Sequence, residues 1–465
     1  MRTPLILPTA IGALFGAAST RLPVGDTDAF WHLAIGHDTL AHGLATTDAY
    51  SWTVRGQPVS VDQWLGQVLW ALADAAGGWP GIVALRAVAV ALLVGLIVYV
   101  ALRERPTHPL GTVLAALPAI ALSRLVWTER PELFGVICFA LLIVLLRAGR
   151  AGSDRALYSI PLLIVVWVNL HGSFALGVVL VAVVALEGAI AQPLRRRGFV
   201  SVAIGSFLAT VLTPANVGTW SAPGFHLLHP PRQIQEWGVP DVTTVPGAIF
   251  FVAIAATLAT ALFSRSRRHA LREGVVLLPV LFISLIATRQ LPLFAIAAAP
   301  YLAAYGGEAI GGIAAVLRLG TPRSAAVTRW PSRSADAVTI AIAAIALAAA
   351  TNTAGPALGG LPTAALPALR SGPGLLNQYD WGGYLIENAP GTPVFVDGRL
   401  TPYLGSVMND YSTVVGVRPG WREVIARRGI RQILVRPTDP VAVRARDLGW
   451  PIRAASDTFV LIDVP

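Results

Sequence analysis

Two carboxylates one residue apart, Asp26 and Asp28, open a stretch where acids and aromatics crowd together: Gly25-Asp26-Thr27-Asp28-Ala29-Phe30-Trp31-His32. Such a pair can take a proton from an attacking hydroxyl, hold a divalent cation, or cap a helix, here the one predicted over Ala29–Leu40. The polar loop that begins here carries Asp38, Asp48, Asp62 and Asp74 against only Arg21 and Arg55. Phosphate recognition is the complementary chemistry. Arg124 and Arg130 frame the segment Trp127-Thr128-Glu129-Arg130-Pro131-Glu132, and Arg289 stands between two apolar runs. A guanidinium grips phosphate through parallel hydrogen bonds and keeps its charge. Each of these arginines also has a plainer reading, as a helix-capping Arg–Glu pair or a snorkelling anchor. His171, in the turn Asn169-Leu170-His171-Gly172, is a further cavity-lining candidate, as is His32 beside Asp28. His32, His37 and His42 recur every five residues. On a helix that spacing rotates the rings apart, so no zinc triad is expected.

The segments that must position these groups are apolar. The chain has 465 residues, 55% hydrophobic and 13% charged, with mean hydropathy +0.64. That composition excludes an ordinary soluble protein and indicates a polytopic membrane protein. All 35 basic residues are Arg. Without Lys there is no phosphate-loop lysine, no Schiff base and no Ser-x-x-Lys nucleophile. The net charge of +10 clusters in short loops between apolar runs, which fits membrane topology and argues against nucleic acid. Cys138 is the sole cysteine, so no internal disulfide forms.

Apolar runs near 4–20, 80–102, 109–123, 131–147, 157–169, 173–191, 199–213, 246–263, 273–288, 291–306 and 336–351 predict about eleven transmembrane helices. The first is read as an anchor, not a cleaved leader. The positive-inside rule then places the N-terminus in the cytoplasm. Arg103 and Arg105, Arg147 to Arg155, Arg195 to Arg197, Arg265 to Arg272 and Arg318 to Arg333 fall on the inner side. The acidic first loop (21–79), Arg124 to Glu132, His171 and Arg289 fall on the outer side. Within that loop, Val61 to Ala76 has helical apolar spacing and two Trp residues, Trp64 and Trp70, which suit the membrane interface.

The domains expected are therefore a membrane domain over 1–351, a Pro/Gly-rich linker over 352–374, and an extracytoplasmic α/β domain over 375–465. In the last, Val394–Val396, Gln432–Val435 and Thr458–Ile462 read as strands, and Trp421–Arg428 and Val441–Asp447 as helices. Asp380-Trp381-Gly382-Gly383-Tyr384-Leu385 and Val396-Asp397-Gly398-Arg399, with Tyr403 and Tyr411, hold aromatics, acids and Arg of the kind that bind sugars. The simpler reading, which we prefer, puts Trp381 and Tyr384 in the core and Asp397-Gly398 in a turn.

Asp26-Thr27-Asp28 directly after the first helix, with Phe30 and Trp31 behind it, resembles the first outer loop of the C-type (GT-C) membrane glycosyltransferases. Many of those enzymes carry Asp-Glu where this chain has Asp-Thr-Asp, which makes both aspartates candidates. Asp28 through Leu69 and the two tail blocks are similar to a large group of uncharacterised bacterial membrane proteins related to that superfamily. The resemblance implies sugar transfer from a polyprenyl-phosphate donor to a glycan, lipid or protein acceptor on the outer face of the bacterial plasma membrane. It implies Asp28 as general base, with Asp26 or Asp48 as a helper or cation ligand. Trp31, His32, Asp48, Asp62, Arg124, Arg130, His171 and Arg289 would contact substrate, and a divalent cation (Mg2+, Mn2+ or Ca2+) would be the one cofactor in question. A flippase of lipid-linked sugars and a non-enzymatic envelope scaffold use many of the same parts and are the rival expectations.

Overall fold

Helices dominate the chain, as its hydropathy requires. A computed structural model describes residues 5–104, 109–228, 235–317 and 356–465. Contacts group these residues into two units. The first draws on Met1–Leu22, Val83–Trp127 and Pro131–Thr353, the second on Pro23–Ile82, Thr128–Arg130 and Ala354–Pro465.

The first unit is helical. Among the described residues, five helices are long and apolar enough to cross a bilayer: Trp64–Glu104, Pro131–Arg150, Phe174–Ala191, Val245–Phe263 and Thr288–Val316. A sixth arises if Arg267–Val275 and Leu278–Ile286, bent by 51°, act as one span. The expected eleven are therefore not all found. The runs near 4–20, 109–123, 157–169 and 199–213 form the helices Ile6–Ser19, Pro109–Ser123, Ile160–Leu170 and Arg196–Ala209. At about 1.5 Å per residue these fall short of a hydrocarbon core of about 30 Å. The run 336–351 lies outside the described residues, as do Arg105 and Arg318 to Arg333. Large apolar side chains such as Leu186, Ile190 and Val252 are exposed, as lipid-facing positions require.

Ion pairs tie the helix ends of this unit. Arg147 bridges Glu104 at 2.6 Å and Glu273 at 3.2 Å. Arg150 and Arg272 share Glu187, at 3.1 and 2.5 Å. The connections assigned above to one side thus exchange salt bridges with one another. Arg86, inside an apolar run, is buried. It donates to the backbone carbonyls of Ser19 at 2.9 Å and Leu22 at 2.6 Å. Its charge is thereby met by carbonyl dipoles at and just beyond the C-terminus of the helix Ile6–Ser19.

The second unit combines the first loop with the tail. The helix Asp28–His42 covers the predicted Ala29–Leu40. The stretch Val61 to Ala76 is helical from Trp64 onward and meets the next helix at a kink. There Gly78 adopts φ +58°, ψ −146°, a conformation costly for any residue with a Cβ, and Pro80 follows. The tail builds a four-stranded sheet from β1 (Leu375–Asn377), β2 (Gln432–Val435), β3 (Ile452–Ala455) and β4 (Val460–Asp463), in the order β1-β2-β4-β3. β1 runs parallel to β2, and the remaining pairs are antiparallel. The helices Gly382–Asn388, Ser406–Val415 and Trp421–Arg428 lie along the β1–β2 crossover, and Pro440–Asp447 follows β2.

Two expectations for the tail are corrected. Val394–Val396 is no strand; Val394 makes one isolated bridge to Ser51. Residues 358–368, inside the expected linker, form two short 3-10 helices, and Ala365 is fully buried against the sheet. The apolar residues of this stretch are absorbed by a core that also holds Phe30, Trp31, Trp381, Tyr384 and Leu461. Phe30 packs edge-on against Tyr384, ring centroids 5.2 Å apart. Burying one such side chain contributes about 1.5–3 kcal/mol, enough to bind the loop helix firmly to the tail. The preferred core reading of Trp381 and Tyr384 holds.

Candidate active site

The helix Asp28–His42 begins at the acidic pair, because its first turn presents unbonded N–H groups that favour carboxylates. Asp26 Oδ1 accepts the backbone N–H of Asp28 at 3.0 Å, just ahead of the helix, whose N-cap is Thr27 and whose first residue is Asp28. Arg130 joins them. Its Nε lies 2.6 Å from Asp26 Oδ2, and its Nη2 lies 2.9 Å from both Asp26 Oδ1 and Asp28 Oδ2. All three side chains are mostly but not wholly enclosed, at 19%, 12% and 21% exposure for Arg130, Asp26 and Asp28. Arg130 Nη2 donates a charge-assisted hydrogen bond to Asp26 Oδ1, and Nε lies within ion-pair distance of Oδ2. The group holds two carboxylates against one guanidinium.

The tail closes in on this point. A Cβ on Gly398 would sit 1.8 Å from Asp28 Oδ1 and 2.9 Å from Trp31 Nε1. A Cβ on Gly383 would sit 2.8 Å from the Thr27 carbonyl and 3.2 Å from the Trp31 N. Both glycines are therefore demanded by the close approach of the helix start. Trp31 is buried, and its Nε1 donor has no hydrogen-bond partner among the described residues. The Asp-Trp-Gly-Gly-Tyr-Leu and Val-Asp-Gly-Arg blocks thus both touch the first turn that carries Asp28.

The remaining sequence candidates fall in several places. His32 is 2% exposed, stacks on Trp31 with centroids 3.5 Å apart, and meets Gln67 Nε2 through Nδ1 at 3.3 Å. Its surface is closed to a ligand, and it backs Trp31. Asp48 is also buried. Its Oδ2 accepts from Ser51 N and Oγ at 2.9 and 2.7 Å, and its Oδ1 pairs with Arg399 at 2.5 Å. Arg399 in turn holds Asp397 at 2.6 Å, and Tyr403 donates to the same Asp397 carboxylate at 2.5 Å. Burial pushes the Tyr403 hydroxyl well above its ordinary pKa, so it remains a donor. Asp62 is buried too; desolvation raises its pKa, against a lowering hydrogen bond from Ser60. Asp48 and Asp62 are thus enclosed in this structure, where the sequence suggested open rim groups.

Arg124, His171 and Arg289 belong to the first unit. Arg124 is exposed and lies over the Trp127 ring at 5.8 Å. His171 Nδ1 accepts the Ser173 backbone N–H at 3.2 Å and contacts Ser173 Oγ at 2.9 Å, just ahead of the helix Phe174–Ala191. Arg289 is held by Glu132 at 3.0 Å and Glu236 at 2.9 Å, over the Trp237 ring at 4.9 Å. A phosphate there would have to displace two carboxylates. Among the described residues no three His, Cys, Asp or Glu side chains converge on a metal position. Sequence reasoning missed Gly398 and Gly383 as neighbours of Asp28, and Arg399 as the partner of Asp48. The two tail blocks were the available signal.

No protein-family model matches the chain, and no curated protein does. Solved structures do. The archaeal oligosaccharyltransferase AglB from Archaeoglobus fulgidus, in complex with an inhibitory peptide and a dolichol-phosphate, matches with TM-score 0.57 at 12% identity, over 92% of this chain and 69% of that one. ArnT from Cupriavidus metallidurans, bound to undecaprenyl phosphate, matches with TM-score 0.54 at 15% identity, over 98% of this chain and 97% of that one. At such identities the likeness speaks for the fold, and it spans nearly the whole chain: this protein shares its fold with AglB and ArnT.

Proposed function

We propose that the chain is a membrane glycosyltransferase that moves a sugar from a polyprenyl-phosphate donor to an acceptor hydroxyl outside the cytoplasm. The observation that carries this reading is the Asp26–Arg130–Asp28 cluster at a helix start, in a fold shared with proteins bound to dolichol-phosphate and undecaprenyl phosphate. The donor's phosphate competes for the Arg130 guanidinium, which suits bidentate binding of phosphate. That exchange frees lone pairs on Asp28. The acceptor oxygen then attacks the anomeric carbon, Asp28 takes its proton, and the bond from that carbon to the phosphate oxygen breaks. The polyprenyl phosphate leaves with the electron pair, its charge met by Arg130. Arg124, His171 and Arg289 remain further substrate candidates from the sequence.

A divalent cation needs about six oxygens, most of them from water or phosphate in sites with few carboxylates. Here Asp26 and Asp28 are both already ion-paired to Arg130. The residues present suit a guanidinium better than Mg2+, Mn2+ or Ca2+, and no step is routed through a metal. The same proposal includes the bacterial plasma membrane, a cytoplasmic N-terminus, an extracytoplasmic tail domain and up to eleven spans, with the shorter apolar helices and the run 336–351 added to the long ones. A flippase is less favoured, because Arg86, the buried charge in an apolar run, is bound to backbone carbonyls.

The test is Asp28→Asn in the purified protein with a polyprenyl-phosphate sugar. Transfer lost with donor binding retained supports the enzyme. Unchanged transfer overturns it, and scrambling of lipid-linked sugar by the wild type in vesicles, without transfer, would favour transport.

A further inference from the structure

The tail carries a concave surface none of whose lining belongs to the acidic cluster. It is a groove of about 800 Å3, lined by Trp52, Trp450, Arg422, Arg428 and Arg431 among others. Pockets of this size take a small oligosaccharide. Its lining contains no acidic side chain. Among the described residues neither Arg422 nor Arg431 is paired with a carboxylate: Arg422 lies over Trp421 at 5.4 Å, and Arg431 donates to the Pro373 carbonyl. Arg428 is fixed by Asp410 at 2.7 Å.

The aromatic walls are held by neighbouring groups. Trp52 is anchored by its Nε1 donating to the Leu375 carbonyl at 2.9 Å, and Trp450 packs on Trp421 with centroids 5.6 Å apart. Ring faces stack on the C–H faces of sugars, and guanidinium forks bind carboxylate, sulfate or phosphate substituents in two-point contacts. From this pairing of flat aromatics with uncompensated arginines in one concave site, we infer that the groove binds an anionic saccharide chain. A neutral glycan would use the tryptophans and leave the charges of Arg422 and Arg431 without a carboxylate partner. A concave site also suits a saccharide better than a flat anionic surface.

The inference is independent of the transfer chemistry and is tested by binding alone. Full-length protein in uncharged detergent is titrated with tetragalacturonate and with its methyl ester, which keeps the skeleton and removes the charge. Tryptophan fluorescence and calorimetry report the affinity. Tetragalacturonate should bind, the ester at least tenfold more weakly. The doubly substituted R422Q/R431Q protein should lose at least tenfold in affinity with an unchanged unfolding temperature, since both side chains are exposed. Absence of binding, equal affinity for the ester, or equal affinity in the variant would overturn the assignment. So would tighter binding of oligodeoxythymidine or phosphatidylglycerol vesicles through the same two arginines.

Discussion

Gly398→Ala is the most informative single substitution. Gly398 is not among the glycines of positive φ, so alanine is tolerated by the backbone and the effect is purely steric. The new methyl would lie 1.8 Å from Asp28 Oδ1 and 2.8 Å from its Cγ. Ordinary contact begins near 3.4 Å, so the carboxylate or the Asp397-Gly398 turn must give way by about 1.6 Å. The turn is anchored through Asp397, which Arg399 and Tyr403 hold at 2.6 and 2.5 Å. The carboxylate is therefore the part that moves, and it moves off Arg130. A misplacement of about 1 Å at a reacting group costs on the order of a hundredfold in rate. Overpacking of this kind costs about 1–3 kcal/mol in stability, so the protein should still fold. The assay is single-turnover sugar transfer, with donor affinity measured separately. We expect kcat to fall about a hundredfold or more, with donor affinity changed much less. In a cycle with Asp28→Asn the double variant should be no slower than Asp28→Asn alone, because both act through one carboxylate. Transfer at the wild-type rate, or losses that multiply in the double variant, would refute the reasoning.

Arg130→Ala should abolish transfer by about a hundredfold or more, as removal of an oxyanion-stabilising donor does. Arg130→Lys should recover only part, since an ammonium lacks the fork that spans Asp26 and Asp28; full recovery in the transfer assay would exclude the bidentate role. Arg399→Ala should destabilise the tail unit by about 3–5 kcal/mol in chemical denaturation, because it strands Asp48 and Asp397 buried without their cation. A loss within experimental error would show that the network is dispensable. Asp62 gives a pH test. Its folded pKa is raised by burial, so the native state binds its proton more tightly than the unfolded chain. Its favourable contribution is full below the ordinary carboxylate range and is lost as pH rises through the folded value. Asp62→Asn should therefore be more stable than the wild type at pH 7, the advantage vanishing below about pH 4. An advantage that persists in acid would count against a titrating Asp62.

Local pattern carried a good deal of this protein. Helical spacing located Asp28–His42 to within two residues at either end, and the strand Gln432–Val435 and helix Trp421–Arg428 fell where β-branched runs and a glycine-bounded amphipathic stretch put them. Such elements answer to neighbours a few residues away, and those neighbours are visible in the string. The strand Leu375–Asn377 was not legible, because three residues show no alternation and it exists only through its parallel partner. The same limit applied to span counting: among the described residues five of the apolar runs became helices long enough to cross a bilayer, and where each helix ends depends on tertiary packing.

For the candidate site, sequence alone supplied the residue types: the Asp26–Asp28 pair, Arg130, and the two glycine-bearing tail blocks. Composition indicated a polytopic membrane protein, and the Asp26-Thr27-Asp28 motif behind the first apolar run carried the resemblance to the C-type enzymes. What only the folded chain decided was the grouping. Arg130 reaches Asp26 across 104 residues, and Arg399 reaches Asp48 across 351. It likewise decided that Asp48 and Asp62 are enclosed and that Gly398 rests on Asp28. The physical reason is that charge pairing and close packing depend on distance through space, whereas periodicity and capping, the signals a sequence displays, act along the chain.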